Sequence, residues 1–238
     1  MSNTLEGHTL HQYDGELNHV HKLLIEMATL ALDQVKQALY SFNEQNFEVA
    51  SQVIDREHDV DELEKKIDEE LIEVTARQAP VARDLRVVMA ISKSVTDIER
   101  IGDEAAKIAH FTKEIFDNES ADPSVHMLRD IIVMGDIAIE RMSDSVEAMG
   151  TFSIEKAEAV LNSHSNLETE FKSSLRRLST FILEDSRNVG HVLSIILILK
   201  ALERIGEHAF NIAESVIFIV RGQDVRHSGR KDFISLKE

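Results

Sequence analysis

Apolar residues recur at intervals of three and four almost without interruption from about Leu17 to Arg221, the period of helices that each bury one stripe. The breaks in that pattern therefore carry the information. Asn43 to Asn46 reads as a turn, with Asn46 capping a helix that starts Phe47-Glu48-Val49. Pro80 marks a second break and is expected in the first turn of the next helix. Asp117 to Ser124 is a polar linker in which Asp122-Pro123 suits an N-cap and the first helical position. Gly150 is expected to close a shorter helix and Ser153 to cap its successor; Asp185 to Arg187 forms the last break and Gly222 ends the final helix. Six helices result, over roughly 17–42, 47–78, 80–116, 124–149, 154–183 and 188–221. The predicted fold class is all-α: two tandem three-helix bundles of long antiparallel helices, with domains 1–118 and 119–238. A heptad-like stripe in the second helix (Val53, Val60, Ile67, Val74, flanked by Leu63 and Leu71) is read as core.

Two seams depart from this apolar rule in the same way. The third helix runs Val81, Leu85, Val88, Ser92, Val95, then Glu99, Gly102, Ala106, Ala109. The sixth runs Val192, Ile196, Leu199, then Glu203, Gly206, Phe210, Ala213. Glu99-Arg100-Ile101-Gly102-Asp103 thus returns as Glu203-Arg204-Ile205-Gly206-Glu207, and seven of eleven positions agree between Glu99–Ala109 and Glu203–Ala213. Such self-similarity means two copies of one structural unit. A carboxylate in an oily seam costs several kcal/mol unless something compensates it. Glycine inside a helix costs about 1 kcal/mol against alanine, and its missing side chain makes room for a close neighbour.

The two acids of each phrase are four residues apart and share one helix face. The second helix adds Glu57 and Asp61 at the same spacing; aligning Phe47 with Ile154 puts His164 and Glu168 at the corresponding places of the fifth helix. If neighbouring helices bring Glu57/Asp61 level with Glu99/Asp103, and His164/Glu168 level with Glu203/Glu207, two clusters of metal ligands form. Oxygen-rich sets of this kind suit Mg²⁺, Mn²⁺ or iron rather than structural zinc, and the candidate ions are Fe, Mn, Mg or Zn. Salt bridges from Arg100, Arg204, Arg83, Arg86 and Lys93 offer neutralisation with no metal, and both readings stand at this point. Asp136, Glu140 and Asp144 are read as a wet face, and most of the eleven histidines as surface residues.

Charge and composition narrow the partners. A formal charge of −17 argues against nucleic acid, whose affinity comes mainly from Lys and Arg on phosphates, and favours cations or basic protein surfaces. There is no cysteine, hence no disulfide, thiolate ligand or Cys nucleophile. The longest apolar run, Val192 to Leu199, is too short for a bilayer, and Met1 to Gly15 lacks the apolar stretch of a secretory signal. A cytoplasmic location without membrane insertion is expected. No Gly-rich phosphate loop and no nucleophile–base–orienter set is present, so no enzyme is expected. A di-iron carboxylate (ferritin-like) oxidase needs paired Glu-x-x-His motifs, and only Glu16 to His19 has that spacing. A purely structural scaffold with ion-paired acids is the other alternative.

The doubled Glu-Arg-Ile-Gly-acid phrase, the Pro80…Asp84-Leu85-Arg86 segment and the duplicated three-helix layout resemble the PhoU family over about residues 17–221. The resemblance implies a cytoplasmic helical protein, commonly a homodimer. Such proteins act as negative regulators of the phosphate-starvation response, linking the phosphate ABC transporter ATPase to a sensor histidine kinase. It also implies metal ions, in some members multinuclear iron, on acid-x-x-x-Asp motifs: Glu57/Asp61 and Glu99/Asp103 match, Glu203 matches, Glu207 replaces the usual Asp, and His164/Glu168 replace an acidic pair. Arg83, Asp84, Arg86, Arg100 and Arg204 are the expected partner-facing residues.

Overall fold

The computed structural model describes residues 11–116 and 125–225, with side chains other than those of 11–14, 125 and 164–166. The linker with Asp122-Pro123, the basic tail beyond Val225 and the side chain of His164 lie outside the described residues. Seven α-helices follow in order: α1 (His11–Asn43), α2 (Phe47–Asp55), α3 (Glu57–Gln78), α4 (Arg83–Phe116), α5 (Val125–Thr151), α6 (Ile154–Glu184) and α7 (Val189–Arg221). A single 3-10 turn at Ser186–Asn188 joins α6 to α7. The fold is all-α, with α1–α4 forming one three-layered unit and α5–α7 the other.

Several local signals act as expected. The Asn46 side chain accepts from Val49 N and the Ser153 side chain from Lys156 N, each starting a helix. Gly222 closes α7 in the left-handed region at φ 73°.

Three boundaries differ. The second predicted helix is broken at Arg56 (φ −82°, ψ −4°) into α2 and α3. There the Gln34 amide of α1 donates to the Arg56 carbonyl at 2.6 Å and the Arg56 guanidinium reaches Asp33 at 3.0 Å, so a wedge from α1 holds the ladder open. Pro80 is not in the first turn of α4. Ala79, which as the residue before proline cannot continue α3, and Ala82 both take left-handed conformations (φ 44° and 49°), and α4 starts only at Arg83. The fourth predicted helix does not stop at Gly150; α5 continues to Thr151, and Phe152 takes the left-handed exit (φ 50°) instead.

The duplication is visible in the packing. A residue of α1–α3 corresponds to the residue 107 further on, and one of α4 to the residue 104 further on in α7. Met27/Met134, Ala31/Ala138, Leu71/Leu178 and Val60/Leu167 are all buried at matching places. The units are not separate: α4 and α7 lie antiparallel along each other, α1 packs on α5, and one contiguous apolar core runs through both. Among the described residues no helix is long and apolar enough to cross a membrane.

Candidate metal centre and its duplicate

The kink at Arg56 positions the first cluster. It makes Glu57 the first residue of α3, where the free amides of a helix start favour a carboxylate. α3 then lies against α4 beside Gly102, where a Cβ would stand at ordinary contact distance, 3.4 Å from Gln34 Oε1 and 3.5 Å from Val60 Cγ1. The Glu57 and Asp103 carboxyls come within hydrogen-bonding reach. Burial first, then the neighbouring Asp103 charge and that hydrogen bond, then Asp61, push the Glu57 carboxyl above its ordinary range. Glu99 is raised by burial and then by Asp103, with Glu64 and Asp61 adding and Arg100 opposing. Glu64, one turn beyond Asp61, is raised by burial and then by Asp68 and Asp61.

Basic neutralisation in this cluster is thin. Arg100 lies 3.2 Å from Glu99 and 3.1 Å from Asp103 on its own helix and is half exposed. Lys107 is engaged with Glu104 at 3.0 Å. The buried Glu99 Oε2 has no hydrogen-bond donor, since Arg100 approaches off the bonding direction, and the buried Gln34 Oε1 has none either. Two orphaned oxygens beside the neighbouring Glu57 and Asp103 carboxyls are hard oxygen donors of the kind a divalent cation takes. Among the described residues no three Asp, Glu or His side chains already converge as a closed metal site.

The second unit repeats the frame with different chemistry. Glu168, Glu203 and Glu207 line one cleft of about 270 Å³ together with Leu167 and Arg141. Glu203 is 8% exposed and is paired with Lys200; Glu168 is paired with Lys172. Arg141 is 3% exposed. Its Nη2 donates to the Ser163 carbonyl and its Nε to Ser163 Oγ at 3.2 Å, while its buried Nη1 has no acceptor. Burial alone lowers its pKa.

Between the units, Glu104 (2% exposed) receives Arg204 of α7 at 3.0 Å. Asp97 accepts from His208 at 2.8 Å and Asn211 at 2.9 Å. Arg86 runs under the end of α7, where a Cβ on Gly222 would overlap its Nη1. Arg83 is exposed and Asp84 is half-buried. Of the expected partner-facing residues, then, Arg100 and Arg204 hold acids of this chain and Arg86 packs against α7.

The sequence profile of the PhoU domain matches residues 24–112 and 131–216, the two units just described. The chain belongs to the PhoU family. It is 39% identical over 96% of its length to the phosphate-specific transport system accessory protein PhoU homolog of Pseudomonas putida, covering 88% of that protein. It is 31% identical to PhoU of Escherichia coli strain K12, with 94% and 92% covered. The crystal structure of PhoU from Pseudomonas aeruginosa superposes with a TM-score of 0.85 at 36% identity, over 89% of this chain and all of that one. The family's duplicated architecture is thus present in full.

The structure sets Glu57 and Glu99 each within electrostatic reach of Asp61 and Asp103 in the first unit, and places Glu168, Glu203 and Glu207 along one cleft in the second. Asp136 and Glu140 are exposed, as expected of a wet face. Sequence reasoning missed Gln34, Glu64, Glu104, Arg141 and Asp97. Gln34 and Arg141 each interrupt an apolar stripe (Met27, Ala31, Val35, Ala38; Met134, Ala138, Met142), the same anomaly that singled out Glu99 and Glu203.

Proposed function

We propose that this chain is an accessory regulator of phosphate-specific transport and a negative regulator of the phosphate-starvation response. In this reading it works without catalytic turnover, in the cytoplasm and as a homodimer, between the transporter ATPase and a sensor histidine kinase. The observation that carries the reading is similarity over nearly the whole chain to proteins named phosphate-specific transport system accessory protein PhoU. The start of α4, where exposed Arg83 adjoins exposed Val81, Leu85 and Met89, offers a mixed charged and apolar face for a partner. Deleting the gene is expected to switch on a phosphate-starvation reporter in phosphate-rich medium; a reporter that stays silent rejects the regulatory role.

The first cluster supports a structural metal. Glu57 and Asp61 on α3 with Glu99 and Asp103 on α4 would hold it, and oxygen ligands select Mg²⁺, Mn²⁺ or iron. The ion would neutralise carboxylates that otherwise repel across the two helices. The residues themselves supply the rest: Gln34 holds the kink that presents Glu57, and Arg100 shields the solvent side.

A further inference from the structure

The two units share one frame around the duplicated glycine, and one residue in that frame is neutral in the first unit and cationic in the second. Gln34 on α1 and Arg141 on α5 are corresponding residues. Gln34 Nε2 donates to the carbonyl of Arg56; Arg141 Nη2 donates to the carbonyl of Ser163, which is the residue corresponding to Arg56. The remaining polar atom of each side chain then turns toward the glycine. Gln34 Oε1 lies 3.4 Å from a Cβ built on Gly102, and Arg141 Nη1 lies 3.1 Å from one built on Gly206. Both atoms are buried and both lack a hydrogen-bond partner. One is an acceptor beside the first acidic cluster. The other is a cationic donor beside the second.

The surrounding substitutions go the same way. Glu64 and Asp68 of the first unit correspond to Phe171 and Leu175, and Thr96 corresponds to Lys200. Lys200 pairs with Glu203 and sits 5.5 Å above the Phe171 ring. Lys172 pairs with Glu168. The second unit therefore sets Arg141, Lys172 and Lys200 against Glu168, Glu203 and Glu207, whereas the first sets half-exposed Arg100, and Lys107 already paired with Glu104, against five carboxyls, Glu57, Asp61, Glu64, Glu99 and Asp103. A guanidinium fixed inside a cleft repels an incoming cation, and its cost is lowest where acids already surround it. The donor set of the second cleft does not fit a metal.

We propose that the residue at this position selects the counterion of each unit: Gln34 leaves the first cluster open to a divalent metal, while Arg141 is a built-in cation that keeps metal out of the second. The first half rests on the metal reading given above; the second half does not.

Equilibrium dialysis of the full chain against Mn²⁺, with bound metal counted by atomic emission, tests both halves separately. In otherwise wild-type protein, Glu203→Gln is expected to leave bound Mn²⁺ unchanged. Arg141→Gln is expected to gain about one Mn²⁺ per chain, a gain removed by adding Glu203→Gln and absent in Arg141→Lys, which keeps the charge. Loss of bound Mn²⁺ in Glu203→Gln alone overturns the proposal, because it shows a metal beside an intact Arg141. So does a folded Arg141→Gln chain, with helical circular dichroism intact, that binds no more than wild type. Glu99→Gln reads the first cluster independently: no loss there rejects the metal reading of the first unit, and the gain in Arg141→Gln still decides the role of Arg141.

Discussion

The two halves of this molecule carry the same backbone plan and opposite electrostatics. In the first, α3 and α4 press carboxyls together until burial and mutual repulsion lift Glu57, Glu64 and Glu99 above their ordinary range. In the second, the corresponding helices interleave acids with Lys172, Lys200 and a buried Arg141. The glycine phrase and the order of the helices are kept in both. What differs is how negative charge inside a seam is balanced, which shows that a duplicated scaffold constrains shape far more tightly than it constrains charge. The cores also differ: fully buried Ile67 of the first unit corresponds to fully buried Ser174 of the second, whose hydroxyl donates to Glu170 O at 2.8 Å.

That core difference gives the largest expected effect. Ile67→Ala should cost about 2–5 kcal/mol by urea unfolding, because it empties a packed site, whereas Ser174→Ala should cost about 1 kcal/mol, the value of one ordinary hydrogen bond. Equal losses would mean that the two cores bear alike at this layer. Next comes the joint between the halves. Arg204→Ala should cost about 2 kcal/mol, since Glu104 keeps only Lys107 and hydrogen bonds to buried charges are worth about 1.5–3 kcal/mol; the variant Glu104→Gln with Arg204→Ala should recover part of that loss in the same titration.

The glycines separate the halves more finely. A Cβ at Gly206 would overlap buried Leu167 and crowd Arg141, while one at Gly102 meets ordinary contact distances. Gly206→Ala should therefore lose about 1 kcal/mol net, overpacking offset by better helix propensity, and Gly102→Ala should be neutral or gain up to about 1 kcal/mol. Thermal melts of the two variants side by side check the sign.

The smallest effect concerns pH. Carboxyls raised in the folded state favour the protonated form, so their stabilising contribution is present below the unfolded value near 4.5 and is lost as pH rises through the higher folded value. At pH 7 and without metal, Glu57 and Glu99 therefore work against folding. Glu99→Gln should raise the unfolding free energy at pH 7 in chelator-treated protein by about a few tenths of a kcal/mol, read by urea titration, because Arg100 and solvent already offset part of the penalty. The advantage should shrink as pH falls toward 4.5, and an advantage that grows on acidification would contradict the raised direction.

Much of the fold could be read from residues close in the chain. Asn46, Ser153 and Gly222 act through hydrogen bonds and a backbone conformation that they or their neighbours supply. The break at Arg56 could not be read that way, because Gln34, on another helix, holds it open. Pro80 and Gly150 misled for a related reason: the left-handed exits fell to Ala79, Ala82 and Phe152, residues that seldom take them. At the candidate site the acids were legible as polar intrusions into apolar seams. Their counterions were not, since spacing along one helix says nothing about which side chain a neighbouring helix brings. Gln34 and Arg141 show the cost of applying the intrusion test to some helices and not to others.

The bridge from Arg204 to Glu104 has a mechanical corollary. Each end of it is fused to a candidate site: Glu104 follows Asp103 directly, and Arg204 follows Glu203. Any roll of α4 would turn Glu104 with it, and the clasp would hand that torque to α7 beside the cleft that Arg141 lines. A twist in one unit would thus be felt in the other, with no loop having to move.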